Sequence, residues 1–171
     1  MKRNLILFAL LLMAAQLPAQ NRAIDQIFKK YADREGYTSV VITKNMFQLF
    51  ANVDNPSNDE FLKTVKNLDF IKILSIKGER EGKTLFQDIL SALPEKDYKE
   101  LMTIKETGSQ IKFLTLEQNG VIRELIMISN GKEESSMIWL SGIIDMRTVS
   151  KIAEKMKIEG MENLGKAGEK K

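Results

Sequence analysis

Apolar positions along this chain recur with two periods, and the two alternate. Ile24, Ile27, Phe28 and Tyr31 stand at i, i+3, i+4 and i+7, one face of a helix. A helix is therefore predicted over 21–34, with Asn21 as its N-cap. Gly36 can end it in the left-handed conformation. Tyr37–Thr43 (YTSVVIT) is β-branched and aromatic, which predicts a strand. Lys44–Ala51 (KNMFQLFA) reads as a short helix with Phe47 and Phe50 on one side. Residues 54–59 (DNPSND) read as a loop. Asn58 or Asp59 can cap a helix reaching Leu68, with Phe61, Leu62, Val65 and Leu68 at helical spacing. Residues 69–77 (DFIKILSIK) alternate apolar and polar, the pattern of a second strand. Residues 78–82 (GEREG) read as a turn, and 83–93 as a helix carrying Leu85, Phe86, Ile89, Leu90 and Leu93. Residues 97–106 (DYKELMTIKE) predict a helical start passing into a strand.

Three strand-like runs follow, over 110–118, 121–129 and 136–144. Asn119-Gly120 joins the first two and is the dipeptide preferred by a type I′ hairpin turn. Asn130-Gly131 opens the connection to the third, giving an antiparallel meander. A last helix is predicted from Asp145 or Thr148, carrying Val149, Ile152, Ala153 and Met156, and a tail follows Leu164. The fold class expected is α+β: an antiparallel sheet of about five strands with helices packed on it.

The two-residue turn sets Gln118 opposite Val121. Continued down the ladder, it sets Phe113 opposite Ile126, Ile111 opposite Ile128, Leu114 opposite Leu125 and Lys112 opposite Met127. One face of the hairpin then holds Ile111, Phe113, Ile122, Ile126 and Ile128. The other holds Leu114, Leu116, Val121, Leu125 and Met127. Both faces are apolar, whereas a sheet with one wet face alternates apolar with polar. Helices cover both faces, or one face meets a partner protein, a second copy of the chain or an apolar ligand. Leu114, Leu116, Val121, Leu125 and Met127 are the candidate interaction face.

The N-terminus carries an address. Lys2 and Arg3 precede an unbroken apolar run of eleven residues, Leu5 to Ala15. A membrane-spanning helix needs about twenty. Eleven fits a secretory signal peptide, with Pro18 ending the helix and Ala19 offering a small residue for cleavage. The expected organisation is a signal peptide over 1–19, one α+β domain over 20–164 and a mobile tail over 165–171. No Cys follows the apolar run, so the chain is not expected to be a lipoprotein, and no membrane span is expected after cleavage. Removing Lys2 and Arg3 lowers the formal net charge from +3 to +1. That balance gives no reason to expect nucleic acid as a partner.

Of 171 residues none is His and none is Cys. This excludes a Ser-His-Asp triad, a Cys-His dyad, thiol redox chemistry and the usual structural zinc sites. A hydrolase would need paired carboxylates or a Ser-Lys dyad. Ser150 and Lys151 are adjacent, and adjacent helical residues point apart. Ser39 and Lys44 flank the first strand without further signature. Glu117 and Glu124 fall on the same hairpin face in the register above, as a carboxylate pair or as solvated strand ends. The oxygen-rich stretch 54–60 lacks the spaced acids and central glycine of an EF-hand loop. No catalytic set, cofactor-binding residue or metal ligand set is assigned. Trp139 and the methionines read as core.

Several strings, in order, resemble one family. They are Phe28-Lys29-Lys30-Tyr31, residues 36–47 (GYTSVVITKNMF), Tyr98-Lys99-Glu100-Leu101-Met102 with Lys105-Glu106, Ile122-Arg123-Glu124-Leu125, residues 140–145 (LSGIID), and the stretch from Ile152 to 160–164 (GMENL). They are similar to the small secreted bacterial proteins of domain-of-unknown-function family 4252 (DUF4252). Thr43 stands where that family's string leads one to expect Ser. The resemblance implies an exported protein of a Gram-negative cell, periplasmic or secreted, with a link to envelope signalling. It supplies no activity, cofactor or catalytic residue. The expected function is a non-enzymatic interaction module, its partner an envelope protein or a second copy. The alternatives are a carrier of a small apolar ligand between sheet and helices, and a carboxylate-based hydrolase.

Overall fold

The structure is a computed structural model that describes residues 20–51 and 65–145. In chain order it contains α1 (Gln20–Ala32), β1 (Tyr37–Thr43), α2 (Lys44–Ala51), β2 (Leu68–Lys77), α3 (Glu79–Ala92), β3 (Tyr98–Glu106), β4 (Ser109–Gln118), β5 (Val121–Asn130) and β6 (Glu134–Ile144). The predicted signal peptide, the 54–59 loop, the C-terminal helix and the tail lie outside the described residues, as does most of the helix predicted before β2.

The six strands form one sheet in the order β1-β2-β6-β5-β4-β3, and every neighbouring pair is antiparallel. The fold is α+β, with six strands rather than the five expected. The sixth is β3. The whole of Tyr98–Glu106 is extended, with no helical start, because it pairs with β4 along its length. A second correction concerns α3, which begins at Glu79 and not at Lys83. Glu79 and Glu81 put negative charge at its first turn, where the helix dipole favours it. Gly82, read as part of a turn, is helical and buried against Ser135 of β6.

Strand β6 (ESSMIWLSGII) is the most thoroughly buried and lies inside the sheet between β2 and β5. Its alternate residues feed two cores. Met137 and Trp139 enter the first, with Leu74, Ile76, Leu114, Leu116, Ile126 and Ile128 from the sheet. Helices α1 and α3 close that core with Ile24, Phe28, Tyr31, Leu85, Phe86 and Ile89, the helical stripes read in the sequence. Ile138 and Leu140 enter the second core, with Ile71, Phe113, Leu125 and Met127, and Phe47 of α2 and Val65 join them. No described helix is long and apolar enough to cross a membrane.

The Asn119-Gly120 turn is as expected, with φ of 53° and 75°. Gln118 faces Val121 and Glu117 faces Ile122, again as expected. The register then slips. Leu116 pairs with Glu124, Leu114 with Ile126 and Phe113 with Met127, so Arg123 is the extra residue of a β-bulge. Registers also shift between Leu68 and Phe70 and between Glu100 and Met102. On β6, Gly142 sits at φ 142°, and a Cβ there would lie 2.3 Å from the Asn67 carbonyl oxygen. The chain crosses too closely at that point for a side chain.

Candidate functional site

The bulge at Arg123 rewrites the hairpin faces. A slip of one residue moves side chains to the opposite face. Leu114 and Leu116 point into the first core, under α1 and α3. Leu125 and Met127 point into the second, and Val121 is half-buried near the turn. The five residues of the candidate interaction face therefore do not share a face. Leu114, Leu116, Leu125 and Met127 are all buried. The same bulge undoes the carboxylate pair: Glu117 faces Ile122 and is exposed, while Glu124 is buried in the first core. Ser39 and Lys44 make no dyad. The Ser39 hydroxyl donates to the Ala32 carbonyl and Lys44 pairs with Asp69. Ser150 and Lys151 and the 54–60 stretch lie outside the described residues. Of the methionines, Met127 and Met137 are core as read, and Met46 is exposed.

Two features of the described residues stand out once the register is known. The first is a polar chain inside the first core. Glu124 is 3% exposed, and one of its carboxylate oxygens accepts from the Tyr98 hydroxyl at 2.6 Å and the Trp139 indole N–H at 2.9 Å. Burial pushes the Glu124 carboxyl above its ordinary range, against the pull of those two donors. Burial, and then the bond to Glu124, pushes the Tyr98 phenol up as well, so Tyr98 stays a donor. On the other side of Trp139 stands Lys72. Its ammonium lies 4.8 Å from the Phe70 ring centre, 5.0 Å from Trp139 and 5.1 Å from Phe28, and pairs with Asp25 at 2.6 Å. Bonds from Lys29 and Lys72 hold the Asp25 carboxyl below the usual range. The residues of this chain come from five elements, so it ties α1, β2, β3, β5 and β6 together. Lys72 is one of the polar positions in the alternating run 69–77. The signal of something else was a charge inside an otherwise apolar run, as also at Glu124.

The second feature is the contrast between the two sheet edges. Edge strand β3 (YKELMTIKE) carries exposed Lys99, Glu100, Lys105 and Glu106 and a register shift, the devices that keep an edge from pairing with another chain. Edge strand β1 (YTSVVIT) has no charge, no Pro and no bulge. Val40 is 42% exposed on one of its faces and Val41 50% on the other. Helix α2 follows directly and exposes Met46 and Leu49, the latter to 66%. Among the described residues, four of the six exposed large apolar side chains belong to this β1–α2 corner. The other two, Leu101 and Ile143, lie beside the register shifts. An uncharged open edge flanked by apolar side chains can accept another strand by backbone hydrogen bonding.

The fold defines a helix-clad antiparallel α+β domain. A family model described as a domain of unknown function (DUF4252) matches residues 31–152, and the chain belongs to that family. Neither a curated protein nor a solved structure matches it.

Proposed function

We propose that this chain is an exported, non-catalytic interaction module of the bacterial cell envelope, engaging its partner through the β1 edge and the exposed face of α2. The observation that supports this is the unguarded β1 edge beside a guarded β3 edge in the same sheet. A strand of this composition that no described strand pairs on its outer side is an aggregation liability unless it has a use. Export is supported by Lys2 and Arg3 ahead of the apolar run from Leu5 to Ala15. The absence of His and Cys from the sequence narrows the chemistry open to an enzyme. Envelope signalling is the setting in which to look for the pathway.

The test is affinity capture from the protein's own envelope with wild type and with Val40→Lys, followed by reconstitution from purified components. One stoichiometric partner whose binding is lost in Val40→Lys, and which rebinds when purified, is the expected result. Capture that Val40→Lys leaves unchanged would remove the β1 edge from the proposal. Cleavage of the fractionated protein is expected at the end of the leader, read by intact mass and N-terminal sequencing.

A further inference from the structure

Resting on that reading, we infer that the β1 edge takes a second copy of this chain, forming a two-fold dimer with one continuous twelve-stranded sheet. Three observations choose this occupant. First, β1 is self-complementary. A seven-residue strand that overlaps itself fully and antiparallel is centred on its fourth residue. Val40 then faces its own symmetry mate, Ser39 faces Val41 of the other copy, and Tyr37 faces Thr43. β-Branched and aromatic pairs of this kind favour pairing, and no like charges are opposed because β1 has none.

Second, the strand's ends complement each other. The same register sets Lys44 of one copy opposite Gly36 of the other, beside Glu35. Lys44 and Glu35 are both exposed, and Lys44 also stands 3.8 Å from Asp69 of its own chain, so opposite charges gather at each end of the paired strands. Third, the two-fold gathers the exposed apolar surface. Val40 lies on the sheet face that α2 covers, since it pairs with Ile73 of the second core and Phe47 of α2 enters that core. An antiparallel continuation of a sheet keeps each face on the same side. Helix α2 of both copies, with exposed Met46 and Leu49, therefore lies on the same side of the continued sheet as the central Val40 pair. A specific interface needs roughly 1,000 Å² of total buried surface, more than one strand pair provides, so the dimer requires the exposed Met46 and Leu49 of α2 to add to it. The contact is isologous and closed, so it ends at two copies.

The chain has no cysteine, which makes single cysteines clean probes of this register. Val40→Cys places two sulfurs on residues directly opposite, whose Cα atoms stand about 4.5–5.5 Å apart in an antiparallel pair. That is within the disulfide range of about 4.4–6.8 Å. Ser39→Cys and Val41→Cys each stand two positions from their own mates, beyond about 7 Å, and should not bridge. The expected results are a doubling of mass with concentration for the wild type by sedimentation, covalent dimer on mild oxidation for Val40→Cys alone, and loss of dimer in Val40→Lys. Val40→Lys mixed with Val40→Glu should recover a dimer, since the two charges then face each other. Circular dichroism should show every variant folded, as Ser39, Val40 and Val41 are all exposed positions. A wild type that stays monomeric to millimolar concentration, or equal bridging at all three cysteine positions, overturns the dimer. If that monomer still captures an envelope partner in a Val40→Lys-sensitive way, the interaction reading stands without self-association. If it captures none, both fall.

Discussion

Glu124→Gln is the most informative single change in the first core. The carboxylate oxygen that accepts from Tyr98 and Trp139 is the same one in both bonds, so the carbonyl oxygen of Gln can replace it with both bonds intact. The variant differs mainly in having no charge to bury. The sign of its effect follows from linkage. Burial raises the native-state affinity of Glu124 for a proton above that of the unfolded chain, whose reference value is 4.5. Below pH 4.5 both states hold the proton, and wild type and variant should be closely matched. Above it the unfolded chain releases its proton first, so wild-type stability falls as pH rises, until the native carboxyl also ionises. Glu124→Gln lacks that loss, and its advantage should grow with pH by at most about 1.4 kcal/mol per pH unit, then level off. The background is quiet. The chain has no His, and the shifted carboxyls of Asp25, Glu79, Asp88 and Glu100 are held below the usual range. The assay is urea unfolding from pH 4.5 to 8, followed by the fluorescence of Trp139, the sole tryptophan. Glu124→Ala is the contrast. It strands two buried donors at roughly 1–3 kcal/mol each, a large share of a domain's total of about 5–15 kcal/mol. A wild-type-minus-Gln difference that stays flat over this range, or that shifts in favour of wild type with rising pH, would refute the reasoning.

Gly142→Ala should destabilise far more than Gly120→Ala. Both have positive φ, worth about 1–2 kcal/mol, but a Cβ at Gly142 would meet Asn67 and Leu68 backbone while Gly120 has open space. Parallel urea melts check the order. Lys72→Met should make unfolding less sensitive to acid. Asp25, held low by Lys29 and Lys72, gives stability above pH 3.8 that is lost as pH falls through its native value, and part of that goes with Lys72. Acid titration of wild type and variant by circular dichroism reads this. Phe113→Ala, at a fully buried site in the second core, should cost about 3–5 kcal/mol by urea unfolding, with Val40→Ala near neutral as the exposed control.

What was legible in the sequence is what short stretches of chain determine. The stripe Ile24, Ile27, Phe28, Tyr31 marked α1, the YTSVVIT run marked β1, and Asn119-Gly120 marked a turn whose two positive φ values few other dipeptides tolerate. The α+β class and the two-sided apolar hairpin followed from the same local periods. The exclusions that rest on missing His and Cys needed no fold at all.

Tertiary structure decided the rest, and one residue shows why. The turn sets the register of β4 and β5 only as far as Ile122. The bulge at Arg123 then reverses every inward and outward assignment beyond it. That bulge lines up with register shifts on the neighbouring strands and with the close chain crossing at Gly142, contacts between segments far apart in sequence. It is what turns Glu124 into the core, beside Tyr98 and Trp139, and what disperses Leu114, Leu116, Leu125 and Met127 between two cores. The insertion of β6 between β2 and β5 likewise decided which strands are edges. The lack of charge in YTSVVIT is written in the sequence. Its meaning as an open edge comes only from the strand order, because a strand's hydrogen-bonding needs depend on what lies beside it.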